Sequence, residues 1–307
     1  MATEGGTKAI VAALCANLGI AITKFISFLL TSSSSMLAES IHSVADSGNQ
    51  ILLLIGGKRA KRSATPQHPF GYGRERYVYA FIVSIVLFSV GGLFALYEAW
   101  QKFQHPHGIE GFWWWLPVVV LIVAIGLESY SFSVAIKESN RVRGKRSWTE
   151  FIKSAKAPEL PVILLEDFAA LAGLVLALFG VSLTLLTGDG RWDATGTGLI
   201  GLLLVAVAVV LAIEMKSLLL GEGGTPEHVA AIERAIPGDG VMSIVHMKTL
   251  HLGPEELLVA AKIAIDSTDS GRDIAAAIDA AERRIREAVP IARVIYLEPD
   301  IRISALR

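Results

Sequence analysis

The 307 residues hold a single cysteine, Cys15, which excludes an intrachain disulfide and any CxxC zinc site, and leaves the redox compartment open. Charge is scarce and balanced: 28 basic and 29 acidic residues leave no polycationic surface of the kind nucleic acid requires. Neither HExxH nor GxSxG occurs, and no ligand set offers a separate base, so an enzymatic role and an organic cofactor are not expected. Residues 1–8 lack the basic n-region of a signal peptide. The apolar run behind them is too long for an h-region and shows no small-residue cleavage site, so the first span is expected to be retained.

What the chain has in quantity is apolar sequence. A hydrophobic content of 52% is too high for a soluble domain of this length. A bilayer core of roughly 30 Å takes about 20 helical residues. Six stretches approach that length, near residues 9–31, 34–57, 77–101, 112–137, 160–186 and 193–219. The loop after the second carries Lys58, Arg59, Lys61, Arg62, Arg74 and Arg76, and the loop after the fourth carries Arg141, Arg143, Lys145, Arg146, Lys153 and Lys156. The opposite loops hold only Lys102 and Arg191, so the basic loops and both termini are expected to be cytoplasmic. Trp113, Trp114 and Trp115 fit an interfacial aromatic belt, and His105 and His107 in the same external loop read as solvated surface residues.

Beyond Gly221-Glu-Gly-Gly224 the apolar runs stop, which divides the chain into a transmembrane domain, 1–220, and a cytoplasmic domain, 221–307. The tail pattern is a helix near 226–235, strands over 241–250 and 256–265 joined at Gly253-Pro254, a helix opened by Ser270 and Asp273 and stopped by Pro290, and a strand over 293–297. This αββαβ order predicts a small two-layer, ferredoxin-like α+β domain. Its buried helix stripe is expected at Ile274, Ile278, Ala281, Ile285 and Val289. His246 and His251, five apart on a strand, are expected on opposite faces.

The chemistry concentrates in Glu39-Ser-Ile-His42-Ser-Val-Ala-Asp46 of the second span, where spacings of three, four and seven residues put three ionisable groups on one helical face. An ionisable group costs about 3 kcal/mol or more at the bilayer centre, so such groups mark an ion path. Imidazole and carboxylate together can hold a divalent cation or relay protons. A second locus, Glu166-Asp167 in span five, faces two directions because adjacent helical residues point about 100° apart. Asp167 is expected to join the His42/Asp46 stripe, with Glu166 at its edge as the nearest fourth donor of a tetrahedral site. Glu128 in span four stands alone and reads either as a packing or proton-carrying group or as an interfacial one.

These residues, with His68-Pro-Phe-Gly-Tyr-Gly-Arg-Glu75, the Leu164-Leu-Glu166-Asp167-Phe-Ala-Ala-Leu-Ala-Gly173 run and the Leu220-Gly-Glu222 join, resemble the cation diffusion facilitators over nearly the full chain, in particular the branch containing zinc transporter nine. The resemblance implies a homodimer that exchanges Zn²⁺ for protons by alternating access. It assigns His42, Asp46 and Asp167 as ligands of the transported ion. The family's remaining span-five ligand falls at Ile163, which cannot bind metal, so Glu166 or water would fill the place and oxygen donors would tilt the site toward Mn²⁺ or Fe²⁺. Glu39 and His68 are auxiliary candidates, although Thr65 and Tyr72 stand where further loop ligands would be expected. The tail is read mainly as a dimerisation and regulatory module, with Glu298 near the segment where relatives carry a terminal acid. Localisation is expected to be multi-pass in a bacterial plasma membrane. The rival readings are a passive divalent-cation channel lined by the same acids and a metalloenzyme that keeps its ion.

Overall fold

The computed structural model describes residues 2–106, 108 and 112–301, with side chains described for all of these except residues 2–16 and 34; His107 lies outside them. The chain divides into two units, one formed by residues 1–56 and 78–215 and the other by residues 57–77 and 216–307. The second unit thus takes up the basic loop behind the second helix, and its boundary falls a few residues before Gly221.

In the first unit six long helical stretches follow one another: α1 (Ala2–Thr31), α2 (Ser34–Arg59), a third built from α3 (Glu75–Val86), a π-helical segment (Leu87–Leu93) and α4 (Phe94–Gln104), then α5 (Leu116–Arg143), α7 (Glu159–Thr187) and α8 (Arg191–Leu220). A short helix, α6 (Trp148–Ser154), is an element the sequence reading lacks; Ser147 and Glu150 form a reciprocal capping box at its start. Among the described residues four stretches are long and apolar enough to cross a membrane: Glu75–Gln104, Leu116–Arg143, Glu159–Thr187 and Arg191–Leu220. The sixfold count rests on α1 and α2 as well. α2 misses the apolar criterion because Glu39, His42, Asp46 and Asn49 sit within it, the feature that makes it informative.

The packing is inverted relative to a soluble bundle. Leu18, Ile22, Phe25, Leu29, Val44 and Ile51 are exposed, while Lys24, Glu39, His42, Asp46 and Asn49 are buried. An apolar exterior around a polar seam is what a hydrocarbon solvent demands. α7 stops at Gly188, whose φ of +73° is cheap only for glycine, and its N–H bonds to the Thr184 carbonyl. Asp193, fully buried near the start of α8, accepts from Ser33 Oγ and from the Ser35 backbone N–H at 3.3 Å, so it ties down the N-terminus of α2. Lys102 Nζ donates to the Ser32 carbonyl beside it.

The tail has the expected order: α9 (Pro226–Ala235), β1 (Ser243–Gly253), β2 (Glu256–Ile265), α10 (Gly271–Ala288) and β3 (Ala292–Ile301). The sheet order is β1-β2-β3, with β1 and β2 antiparallel and β2 and β3 parallel. Leu257, Val259, Ala261 and Ile263 of β2 form one core with Ile232 of α9 and Ala277, Ala281 and Ile285 of α10. Ala277 replaces Ile274 and Ile278 at the centre of the helix stripe, since those two are only half-buried. The Ser270/Asp273 capping box is formed. The opposite sheet face is polar, and Lys262 bridges Glu298 and Asp300 at 3.5 Å each. Those two carboxylates hold the half-buried Lys262 ammonium above the usual lysine range.

Candidate metal centre

Two of the three α2 side chains on the expected stripe, His42 and Asp46, belong to one cluster. His42 Nε2 lies 3.5 Å from Asp46 Oδ2, one helical turn on. Asn49 follows at the next turn, fully buried, and its Nδ2 donates to Glu166 Oε1 of α7 at 2.6 Å. The Asp46 carboxyl lies next to that of Glu166. His42 Nδ1 and Nε2, Asp46 Oδ1 and Asn49 Oδ1 are all buried without a hydrogen-bond partner. Imidazole nitrogen and carboxylate oxygen are the donor types that suit a releasable divalent ion.

The two adjacent acids of α7 divide their tasks opposite to the expectation. Glu166 turns to α2, whereas Asp167 accepts from Ser131 Oγ of α5 at 3.1 Å. Ile163, one turn before Asp167, packs on the same side, against the apolar cluster of Ala135, Phe151 and Leu164. The two positions that the resemblance singled out in span five therefore both look toward α5. Among the described residues no group of three or more His, Cys, Asp and Glu side chains is poised to hold a metal ion. The centre as expected, with Asp167 on the His42/Asp46 stripe, is not assembled in this conformation.

Glu39, the third ionisable group of the stripe, is committed elsewhere. Lys24 Nζ, 1% exposed, donates to Glu39 Oε2 and to Ser43 Oγ at 2.9 Å each. The other Glu39 oxygen, Oε1, reaches into space left by Gly173, where a Cβ would stand 2.8 Å away. The sequence reading missed Lys24, though a lone lysine inside an apolar run was a visible signal. It also missed Asn49, which continues the 42/46 spacing by one turn. Glu128 is buried on α5, which removes its interfacial reading.

Glycines open the other side. The π-helical segment carries Gly91 and Gly92, and a Cβ on Gly91 would come within 3.9 Å of His42 Nδ1. A Cβ on Gly92 would meet Val205 Cγ2 of α8 at 2.7 Å, so glycine is required for the approach. π-Helical turns recur at functional sites.

The auxiliary positions differ. His68 is exposed and stacks on Tyr72 with ring centroids 4.6 Å apart. Thr65 and Tyr72 share a hydrogen bond of 3.2 Å, so the hydroxyls beside it satisfy each other. In the tail His246 is exposed while His251 is 1% exposed with Nδ1 3.1 Å from the Gly253 carbonyl, on opposite faces as spacing required.

Residues 10–220 match the cation efflux transmembrane domain. The chain is 30% identical over 270 residues to a mitochondrial proton-coupled zinc antiporter of Xenopus laevis, covering 87% of this chain and 48% of the relative. Against metal tolerance protein C4 of Arabidopsis thaliana it is 28% identical over 262 residues, covering 83% and 56%. An uncharacterized transporter of Methanocaldococcus jannaschii is 24% identical over 299 residues, covering 96% and 98%. The chain spans about half the length of the first two, which are named for transport of zinc and tolerance of metal. Together, the match over the helical unit, the polar seam and the αββαβ tail identify this multi-pass integral membrane protein as a member of the cation efflux, or cation diffusion facilitator, family.

Proposed function

We propose that the chain moves a divalent cation, Zn²⁺ foremost, out of the cytoplasm in exchange for protons. The observation that carries this reading is the α2 seam: buried nitrogen and oxygen donors of His42, Asp46 and Asn49 without partners, joined to Glu166 across the helix boundary. Asp46 and His42 are the proposed primary ligands, Glu166 supplies the span-five donor, and Asp167 joins after leaving Ser131. Loading the ion thus requires a local rearrangement of α7 against α5, a natural element for alternating access.

Coupling follows from the donor chemistry. A carboxyl or imidazolium must lose its proton before it binds metal, and regains it when the metal departs, so ion and protons compete for one set of atoms. The oxygen-rich donor set favours Mn²⁺ or Fe²⁺ as the alternative cargo. The first unit carries transport, and the tail, with the polar outer face of its sheet, serves a homodimer. By the positive-inside rule the basic loops support a cytoplasmic side for both termini, and the proposed membrane is the bacterial plasma membrane.

Flux into proteoliposomes with an imposed pH gradient tests the reading. Uphill Zn²⁺ movement that collapses with the gradient is the expected result. Movement that only follows the metal gradient would make the protein a channel.

A further inference from the structure

We infer that Asn49 is a positioning residue of the metal centre: its amide fixes the Glu166 carboxyl so that Glu166 takes the ligand place that Ile163 leaves empty. The inference rests on the metal-centre reading above and names the residue that gives it its fourth donor.

Three observations carry it. Asn49 lies seven residues after His42 and three after Asp46, so it shares their helical face, and it is fully buried there. Its Nδ2 donates to Glu166 Oε1 at 2.6 Å, at the short end of the hydrogen-bond range. Its Oδ1 has no partner. A cross-link that served packing alone could use a hydroxyl and leave nothing unsatisfied, whereas this amide buries an idle acceptor, which is costly. The idle oxygen sits on the same side chain that holds the ligand, in a seam where His42 and Asp46 also carry unpartnered atoms.

The geometry also explains why the span-five ligand moves by three residues. Ile163 packs into the Ala135/Phe151/Leu164 cluster, so that turn of α7 is committed to apolar contacts with α5 and α6. Glu166 is 5% exposed and looks toward α2. A glutamate has one more rotatable bond than an aspartate and is a poorly defined ligand unless something fixes its carboxyl. Asn49 supplies that restraint. Partners of this kind, bonded to a ligand rather than to the metal, typically change affinity 10–100-fold when removed.

Equilibrium binding of Zn²⁺ and Mn²⁺ to the full chain in detergent, by competition with a chromophoric chelator, tests this. N49L and N49A should each weaken Zn²⁺ binding about 10–100-fold and shift the Zn²⁺/Mn²⁺ affinity ratio. N49Q, which keeps an amide donor, should recover part of the loss. In an E166Q background N49L should add less than about twofold, because the ligand it positions is already gone. Wild-type affinity and ratio in both Asn49 variants, or an equal loss with and without Glu166, would overturn the assignment. D46A separates the two levels: if it abolishes binding while the Asn49 variants do not weaken it, only the role of Asn49 falls. If D46A binds like wild type, the metal centre itself is misassigned.

Discussion

Lys24 and Glu39 form a fully buried ion pair between α1 and α2, 2.9 Å from Nζ to Oε2, one helical turn from His42. Charges buried to this degree survive only with a partner, and removing one partner of such a pair typically costs about 3–5 kcal/mol. K24M should therefore destabilise the chain by roughly that amount, read as loss of detergent-solubilised protein on heating. K24M/E39Q, which removes both charges, should recover most of the stability. If the double variant is no better than K24M, the pair is not the reason for the loss.

Gly173 is where α7 admits the Glu39 carboxyl. A methyl group there meets Oε1 at 2.8 Å, and the carboxyl cannot retreat without straining its bond to Lys24. G173A should cost about 1–3 kcal/mol, the range of overpacking in a tight interior. Shortening the acid in G173A/E39D should return part of it. A thermal midpoint for G173A equal to wild type would show that the niche has room to spare.

Acid sensitivity in the tail is set locally. The Ser270 hydroxyl, followed by its backbone N–H, holds the exposed Asp273 carboxyl below the usual aspartate range. A lowered folded-state pKa contributes stability above the unfolded value and loses it as pH falls through the folded value, so the cap matters above about pH 4 and fades below it. In S270A the Asp273 carboxyl should titrate nearer its ordinary value, seen by NMR of the full chain in micelles. No movement of that titration would deny the capping box its electrostatic part.

Most of the fold was legible because hydropathy and turn chemistry are local signals. Six apolar runs, the Gly-Pro turn at 253–254 and the Ser270 cap each announced an element that the structure contains. The π-helical segment and α6 did not announce themselves. The first depends on Gly91 and Gly92 meeting α8, and the second is a short capped helix within a basic loop. At the site, periodicity gave the His42/Asp46 face, yet Lys24 and Asn49 went unread because one sits in a different helix and the other is uncharged. The division of Glu166 and Asp167 between α2 and α5 depends on helix rotation in the bundle, which a 100° offset leaves undecided.

The central claim is that metal and protons compete for the α2 seam, and proton release on binding tests it most directly. Zn²⁺ added to the purified full chain in weak buffer with a pH indicator should acidify the solution, with fewer protons per bound ion in H42A and no specific release in D46A. Stoichiometric Zn²⁺ binding with no proton release, or release unchanged by both substitutions, would contradict the account.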